Sequence, residues 1–213
     1  FLFASPVLRN VVIAGTLTAF AGYASVIWVP IYLVRIHEMG TGEAGTYLAL
    51  TLGVGGAIGI YLGGRIADHL GKKYGEHWLA WLVAIVGLIS VPFMLLCFFA
   101  ETAETAILAY AIPAFLGTIY VACGFALIQN HTPLEMRSVC AAINLFILNI
   151  IGLGLGPFTI GFLSDLFEPS MGQDSLRYGL LATLVAIVLG CWYYYRTGAF
   201  ILRTRDRAIV SSL

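Results

Sequence analysis

Between Gly63 and Gly75 the chain reads Gly-Gly-Arg-Ile-Ala-Asp-His-Leu-Gly-Lys-Lys-Tyr-Gly, a short basic stretch between two long apolar segments. The chemistry open to this set is charge pairing. Asp68 is expected at the C-terminal end of its own helix, where the macrodipole disfavours a negative charge, so it needs a partner elsewhere. Arg65, Lys72, Lys73 and, from later in the chain, Arg137 are the candidates, with Gly64 before the acid and Gly71 expected to turn the chain after it. Bond-making chemistry has no such signature. The chain contains no His-Glu-x-x-His, no Gly-x-Ser-Gly, no His-x-x-x-x-Asp and no pair of acids within an apolar segment. Cys97, Cys123, Cys140 and Cys191 fall in apolar segments without paired spacing or a nearby His, and are expected to pack. No catalytic residue, metal ligand or cofactor is expected.

A second set consists of uncharged hydrogen-bonding groups inside the apolar segments. At about 100° per residue, Thr16, Phe20 and Tyr23 share one helix face; Tyr47, Thr51 and Ile58 share another. Thr118, Phe125 and Gln129 form a third, and Asn144 joins Ile151 and Phe158 on a fourth. Faces that mix apolar and hydrogen-bonding groups suit the cavity of an amphiphile. No Asp, Glu, Arg or Lys lies near the middle of any segment, although proton or sodium coupling generally needs an ionisable group within the membrane. If protons are the coupling ion, their site is expected outside this chain.

These residues need elements to hold them. Apolar residues make up 60% of the chain and charged ones 10%, and the mean hydropathy is +0.93. That balance is that of a membrane protein. Six largely uncharged runs, at about 8–34, 43–66, 77–100, 105–130, 137–165 and 176–198, are each long enough to cross a hydrocarbon core about 30 Å thick. Backbone groups in lipid must be satisfied internally, and continuous apolarity without two-residue alternation excludes a barrel. The fold class expected is therefore an all-α membrane bundle of six transmembrane helices over residues 1–213. The third and sixth runs carry little polarity beyond Ser90 and Thr183 and are expected to face lipid.

The run that ends Gly64-x-x-x-Asp68 is echoed by one that ends Gly161-x-x-x-Asp165, each after a glycine-rich stretch. The period is three helices, an odd number, so the two repeats must be inverted in the membrane. Gly55, Gly59 and Gly63 recur every four residues and form a flat ridge for close helix approach, as do Gly152 and Gly156; Pro157 removes a backbone donor and can bend the fifth helix. Basic residues set the orientation. With both ends cytoplasmic, Arg9, Arg65, Lys72, Lys73, Arg137, Arg196, Arg203, Arg205 and Arg207 lie inside, leaving Arg35 and Arg177 outside. Asn130-His131-Thr132, formally a glycosylation acceptor, then falls on the inner side and is set aside. Basic and acidic residues balance at 11 each, so no nucleic-acid partner is expected, and the Arg203, Arg205, Arg207 tail suits the anionic inner leaflet.

The basic stretch, with Gly64-x-x-x-Asp68, Gly71 and Lys72-Lys73, resembles the signature cytoplasmic loop of the major facilitator superfamily of secondary transporters. It departs in one place, with His69 standing where that family usually has Arg. Trp28-Val-Pro30-Ile-Tyr-Leu-Val-Arg35, Thr132-Pro133-x-x-x-Arg137 and Asn149-Ile-Ile-Gly152-Leu-Gly-Leu-Gly156-Pro157-x-x-x-Gly161-x-x-Ser164-Asp165 are similar to the C-terminal half of Spinster-type members. The resemblance implies one half of a twelve-helix transporter in the plasma (inner) membrane, moving a lipid-like amphiphile by rocking-bundle alternating access. It implies a missing N-terminal six-helix half as partner, met by the glycine ridges, and a cytoplasmic gate locked through Asp68. Porters of organic anions, sugars or drugs share the scaffold and are the alternative; a membrane-embedded enzyme or a channel is a more remote one.

Overall fold

The computed structural model describes residues 2–211, with side chains from 2 to 206, so the Arg207 side chain lies outside the described residues. Helix α1 (Pro6–His37) starts where the Ser5 hydroxyl accepts from the Leu8 amide at 3.5 Å and Pro6 occupies the first turn, and it stops at Glu38 in the left-handed region. Helix α2 (Thr41–Tyr74) is π-helical over Ala49–Gly55. Helix α3 spans His77–Phe98, and helix α4 (Ala103–Asn130) is interrupted by a turn at 117–118, four residues after Pro113. Helix α5 (137–171) is π-helical over Leu148–Leu155, and helix α6 spans Ser175–Ser211.

By length and apolarity five helical stretches among the described residues could cross a membrane, because Leu134–Asp206 runs almost unbroken for 73 residues. A straight rod of that length would measure about 110 Å, over three hydrocarbon thicknesses. The chain instead reverses at Gly172, whose φ is 58°, and the Ser164 and Ser175 hydroxyls meet at 3.3 Å. Helices α5 and α6 therefore lie side by side, and six crossings result.

The ends of the crossings run beyond the hydrophobic segments. Helix α2 continues through Asp68, Gly71, Lys72 and Lys73 and stops at Gly75, where φ of 108° suits a residue without a Cβ. This corrects two expectations, the turn at Gly71 and the position of Asp68 at a helix terminus. Six more helical residues follow the acid, whereas the dipole acts within the last turn. Hydropathy marks where lipid ends; a helix rich in Lys, Arg and Leu can continue into water.

Helices α2 and α5 run in opposite directions and carry their π segments in corresponding places, as inverted repeats require. Gly59 and Gly156 keep the same sequence spacing as Gly64 with Gly161 and Asp68 with Asp165. A Cβ on Gly59 would fall on the Phe115 carbonyl and Thr118 hydroxyl of α4, and one on Gly156 would sit 2.6 Å from the Phe20 carbonyl of α1. Gly63 likewise abuts Ile119, and Gly152 abuts Ala19 and Tyr23. These four glycines join the two repeats to each other, which corrects the expectation that the ridges meet a second bundle. Gly53, Gly55, Gly64 and Gly154 have open space instead. Pro157 lies in the first turn of the α-helical part of α5, directly after the π segment, where the backbone register has just changed.

Two apolar clusters fill the bundle. Leu8, Val11, Val83, Ile119, Leu127 and Tyr194 pack toward the α1 N-terminus, and Tyr32, Leu33, Phe98, Tyr110, Leu176 and Leu180 toward the opposite end. All four cysteines are free and buried, in packing positions. At the far end Arg177 of α6 donates to the Phe98 carbonyl at 2.8 Å, the Ala100 carbonyl at 3.3 Å and the Tyr32 hydroxyl at 3.4 Å, and pairs with Asp174 at 2.9 Å. The Tyr32 hydroxyl in turn donates to the Cys97 carbonyl at 2.9 Å and meets His37 at 3.0 Å. One guanidinium thus satisfies the carbonyl end of α3 and ties α1, α3 and α6 together. Replacing Arg177 by Met is expected to destabilise the bundle by about 1.5–3 kcal/mol, read as a lower thermal midpoint in detergent. An unchanged midpoint would count against the clamp.

Candidate functional site

The uncharged polar residues gather in part. A cavity of 120 Å³ lies among α1, α4, α5 and α6, and Tyr23, Phe125 and Asn144 all line it. The Asn149 amide donates to the Leu145 carbonyl at 2.8 Å, which presents its oxygen to the Tyr23 hydroxyl at 3.4 Å. Trp28, one turn further along α1, donates to the Pro157 carbonyl at 2.8 Å, so two hydrogen bonds hold α1 against the π-helical region of α5. A larger cavity of 260 Å³ lies among α1, α3, α4 and α6, with Leu52 of α2 at its edge; Thr118 lines it, and Tyr23 and Tyr120 line both.

Other expected members stand apart. The Thr16 hydroxyl is buried and donates to the Val12 carbonyl at 2.7 Å, and Phe20 lends its carbonyl to the Gly156 crossing. Tyr47 is exposed, Thr51 donates back to the Tyr47 carbonyl at 3.0 Å, and Gln129 is exposed at the end of α4. None of these five lines either cavity.

Tyr194 was hidden in the sequence. It lies in the sixth crossing, which was expected to face lipid, yet it is 1% exposed and its hydroxyl reaches the smaller cavity with no hydrogen-bond partner. Gly15 and Gly124 make the room: a Cβ on either would stand 3.6 or 3.3 Å from that hydroxyl. The outer face of α6, with Val185, Val188 and Trp192, does remain exposed.

The basic stretch does not close on itself. Asp68 is exposed and makes no ion pair with Arg65, Lys72, Lys73 or Arg137 among the described residues. The expected partners are occupied or point elsewhere. Arg65 donates to the Tyr61 hydroxyl at 2.8 Å, Lys73 lies over the Tyr74 ring, and Arg137 donates to the Thr132 carbonyl at 3.2 Å. At this end Glu76 and His131 stand 3.4 Å apart, and Arg205 donates to the Tyr74 carbonyl at 3.4 Å. Tyr74, Trp78, Trp81 and Tyr195 cluster there, as aromatic residues do at a membrane interface.

Six crossings in two inverted sets of three, with hydrogen-bonding groups at depth and charges at the ends, are an architecture from which secondary transporters are built. The Major Facilitator Superfamily profile matches residues 1–157, and the chain belongs to that family. It is 33% identical over 180 residues to an MFS-type efflux pump of Mycolicibacterium smegmatis (strain ATCC 700084 / mc(2)155), covering 84% of this chain and 42% of that protein. It is 26% identical over 219 residues to the sphingosine-1-phosphate transporter SPNS2 of Xenopus tropicalis, covering 92% and 42%. A crystal structure of a bacterial homologue of the human lysosomal transporter Spinster, inward-facing and unoccupied, superimposes with a TM-score of 0.83 at 21% identity, over 94% of this chain and 49% of that one. The chain thus spans 42% of the length of these two relatives. It is a multi-pass membrane protein of a transporter family and not an enzyme.

Proposed function

We propose that this chain is the C-terminal six-helix half of a secondary active transporter that moves a lipid-like amphiphile by rocking-bundle alternating access. The observation that carries the reading is the smaller cavity, where Phe125 and aliphatic side chains stand beside Tyr23, Asn144, Asn149 and the unpartnered Tyr194 hydroxyl. It holds hydrogen-bonding groups on an apolar wall and no charged side chain, which suits an amphiphile better than a sugar or a dicarboxylate. Similarity to proteins named sphingosine-1-phosphate transporters supports that choice. The efflux pump at 33% identity favours a second reading, a drug porter on the same scaffold.

The N-terminal half supplies the opposite wall, any proton-coupling site and the partner that Asp68 lacks here. The basic-rich end, with both chain termini, is the cytoplasmic one, in the plasma (inner) membrane. Two measurements on the full-length protein test this. Phe125→Ala or Tyr23→Ala is expected to weaken lysolipid transport more than Lys72→Ala does; equal losses would remove the cavity from the substrate path. Asp68→Asn is expected to favour the cytoplasm-open state by about 0.3–2 kcal/mol, up to roughly thirtyfold in population. Spin-label distances that do not change between wild type and variant would sink the gate role.

A further inference from the structure

We propose that the larger cavity is an apolar chamber for the hydrocarbon chain of the transported amphiphile, reached from the smaller cavity past Tyr23 and Tyr120. The inference rests on the amphiphile reading above. The chamber runs in among α1, α3, α4 and α6 and opens at the bundle surface beside the exposed Gly22, Val26 and Gly117. Its volume of 260 Å³ is just below the ~300–1,000 Å³ that holds a whole small ligand, so it suits a chain without its head group.

Its lining is more apolar than its residue names suggest. Thr18 and Ser90 donate to the Ala14 and Val86 carbonyls of their own helices at 2.9 and 2.8 Å, and Thr118 donates to the Phe115 carbonyl at 2.9 Å. Their hydroxyl protons are therefore spent, and Val83, Val86, Met94, Ala114, Leu116 and Ile187 supply the walls. Tyr23, Tyr110 and Tyr120 add phenol rings to the lining, and the Ser25 hydroxyl, on a residue 4% exposed, is buried there without a partner. An unpartnered hydroxyl in an apolar chamber selects a chain that carries one hydrogen-bonding group along its length.

Position makes the chamber useful. Tyr23 and Tyr120 line both cavities, so a molecule lying across them would place its head beside Asn144 and Tyr194 and its chain against Met94 and Ile187. The interruption of α4 at 117–118 and the π segment of α2 border the chamber, giving it walls whose backbone is not a uniform α-helix. A chain leaving the bilayer gains no hydrophobic energy here, because lipid is equally apolar. What it avoids is exposure to a water-filled central cavity while the head group crosses, which costs about 0.8 kcal/mol for each methylene left wet.

The test uses the full-length protein and a long-chain lysophospholipid carrying a diazirine at the chain end. Photolabelling is expected on the segments around Ser90–Met94 and Ile187–Cys191. Gly22→Leu, at a chamber-lining position where a Cβ meets nothing within 4 Å, and Ala114→Phe are the filling variants. At about fourfold per methylene kept wet, a leucine-sized plug should lower long-chain affinity about tenfold or more and leave a short-chain analogue within about twofold. The two variants guard against a fold defect, since either one that keeps the wild-type thermal midpoint carries the result. Saturable binding with label confined to outward residues such as Leu88, Leu95 and Trp192, or chamber labelling unchanged in a folded filling variant, overturns the chamber alone. No saturable lysophospholipid binding at any chain length overturns the amphiphile reading and the chamber with it.

Discussion

Reconstituted alone in liposomes, residues 1–213 are expected to catalyse no uptake above empty vesicles. A transport cavity must enclose the head group of its ligand as well as the chain, and the smaller cavity proposed for the head offers 120 Å³, well below the ~300 Å³ at which small-molecule sites begin. Helices α2 and α5 leave Val54, Ile58, Ile150 and Phe158 exposed on a side that carries open glycines rather than packed ones. On the proposed function, such a surface is one wall of a passage that needs two. Full loss of activity is therefore predicted for the isolated bundle, with folding judged by a sharp thermal transition. Saturable uptake would mean that identical bundles pair through that side, and the proposal of a missing, different half would be withdrawn.

Gly156→Leu and Gly59→Leu are expected to be the most damaging single substitutions for the fold. Overpacking a core costs about 1–3 kcal/mol when side chains can yield. Here the obstacles are the Phe20 and Phe115 carbonyls, which belong to helix backbone and cannot turn away. Each variant must separate α5 from α1 or α2 from α4, losing the whole crossing. Size-exclusion profiles in detergent should show aggregate in place of a monodisperse peak. Gly154→Leu and Gly55→Leu are matched controls one turn or less away, where a Cβ meets nothing within 4 Å. They should fold normally, and in the full-length protein they should slow transport by obstructing the second half. Equal tolerance at all four positions would refute the assigned crossings.

Much of this was legible in the sequence, because lipid imposes a simple rule. Uninterrupted apolarity over about 20 residues without two-residue alternation points to a helix, so an all-helical membrane bundle could be expected before the structure. The glycine-rich ridges were visible as well, but not their direction. Four-residue spacing states that something comes close; whether it is Phe115 of the same chain or a helix of another half is a tertiary fact. Tyr194 escaped for a related reason. A lone Tyr among Trp192, Tyr193 and Tyr195 reads as an interfacial aromatic, and the space that draws it inward is made by Gly15 and Gly124 on two other helices. Asp68 was misplaced because charge was read as the end of a helix when it marked only the end of the membrane. The helical faces of Tyr23, Phe125 and Asn144 did converge, while Tyr47 and Gln129 did not, since helical periodicity fixes a face without saying what it meets.

The most direct test of the transporter assignment is counterflow through the full-length protein in liposomes preloaded with unlabelled lysophospholipid. The account predicts saturable accumulation of labelled lysophospholipid against no net gradient, reduced by Phe125→Ala and Tyr23→Ala and abolished when only residues 1–213 are present. Flux that rises linearly with concentration and shows no counterflow, or efficient movement of a small hydrophilic solute with lysophospholipid neither carried nor competing, would contradict it.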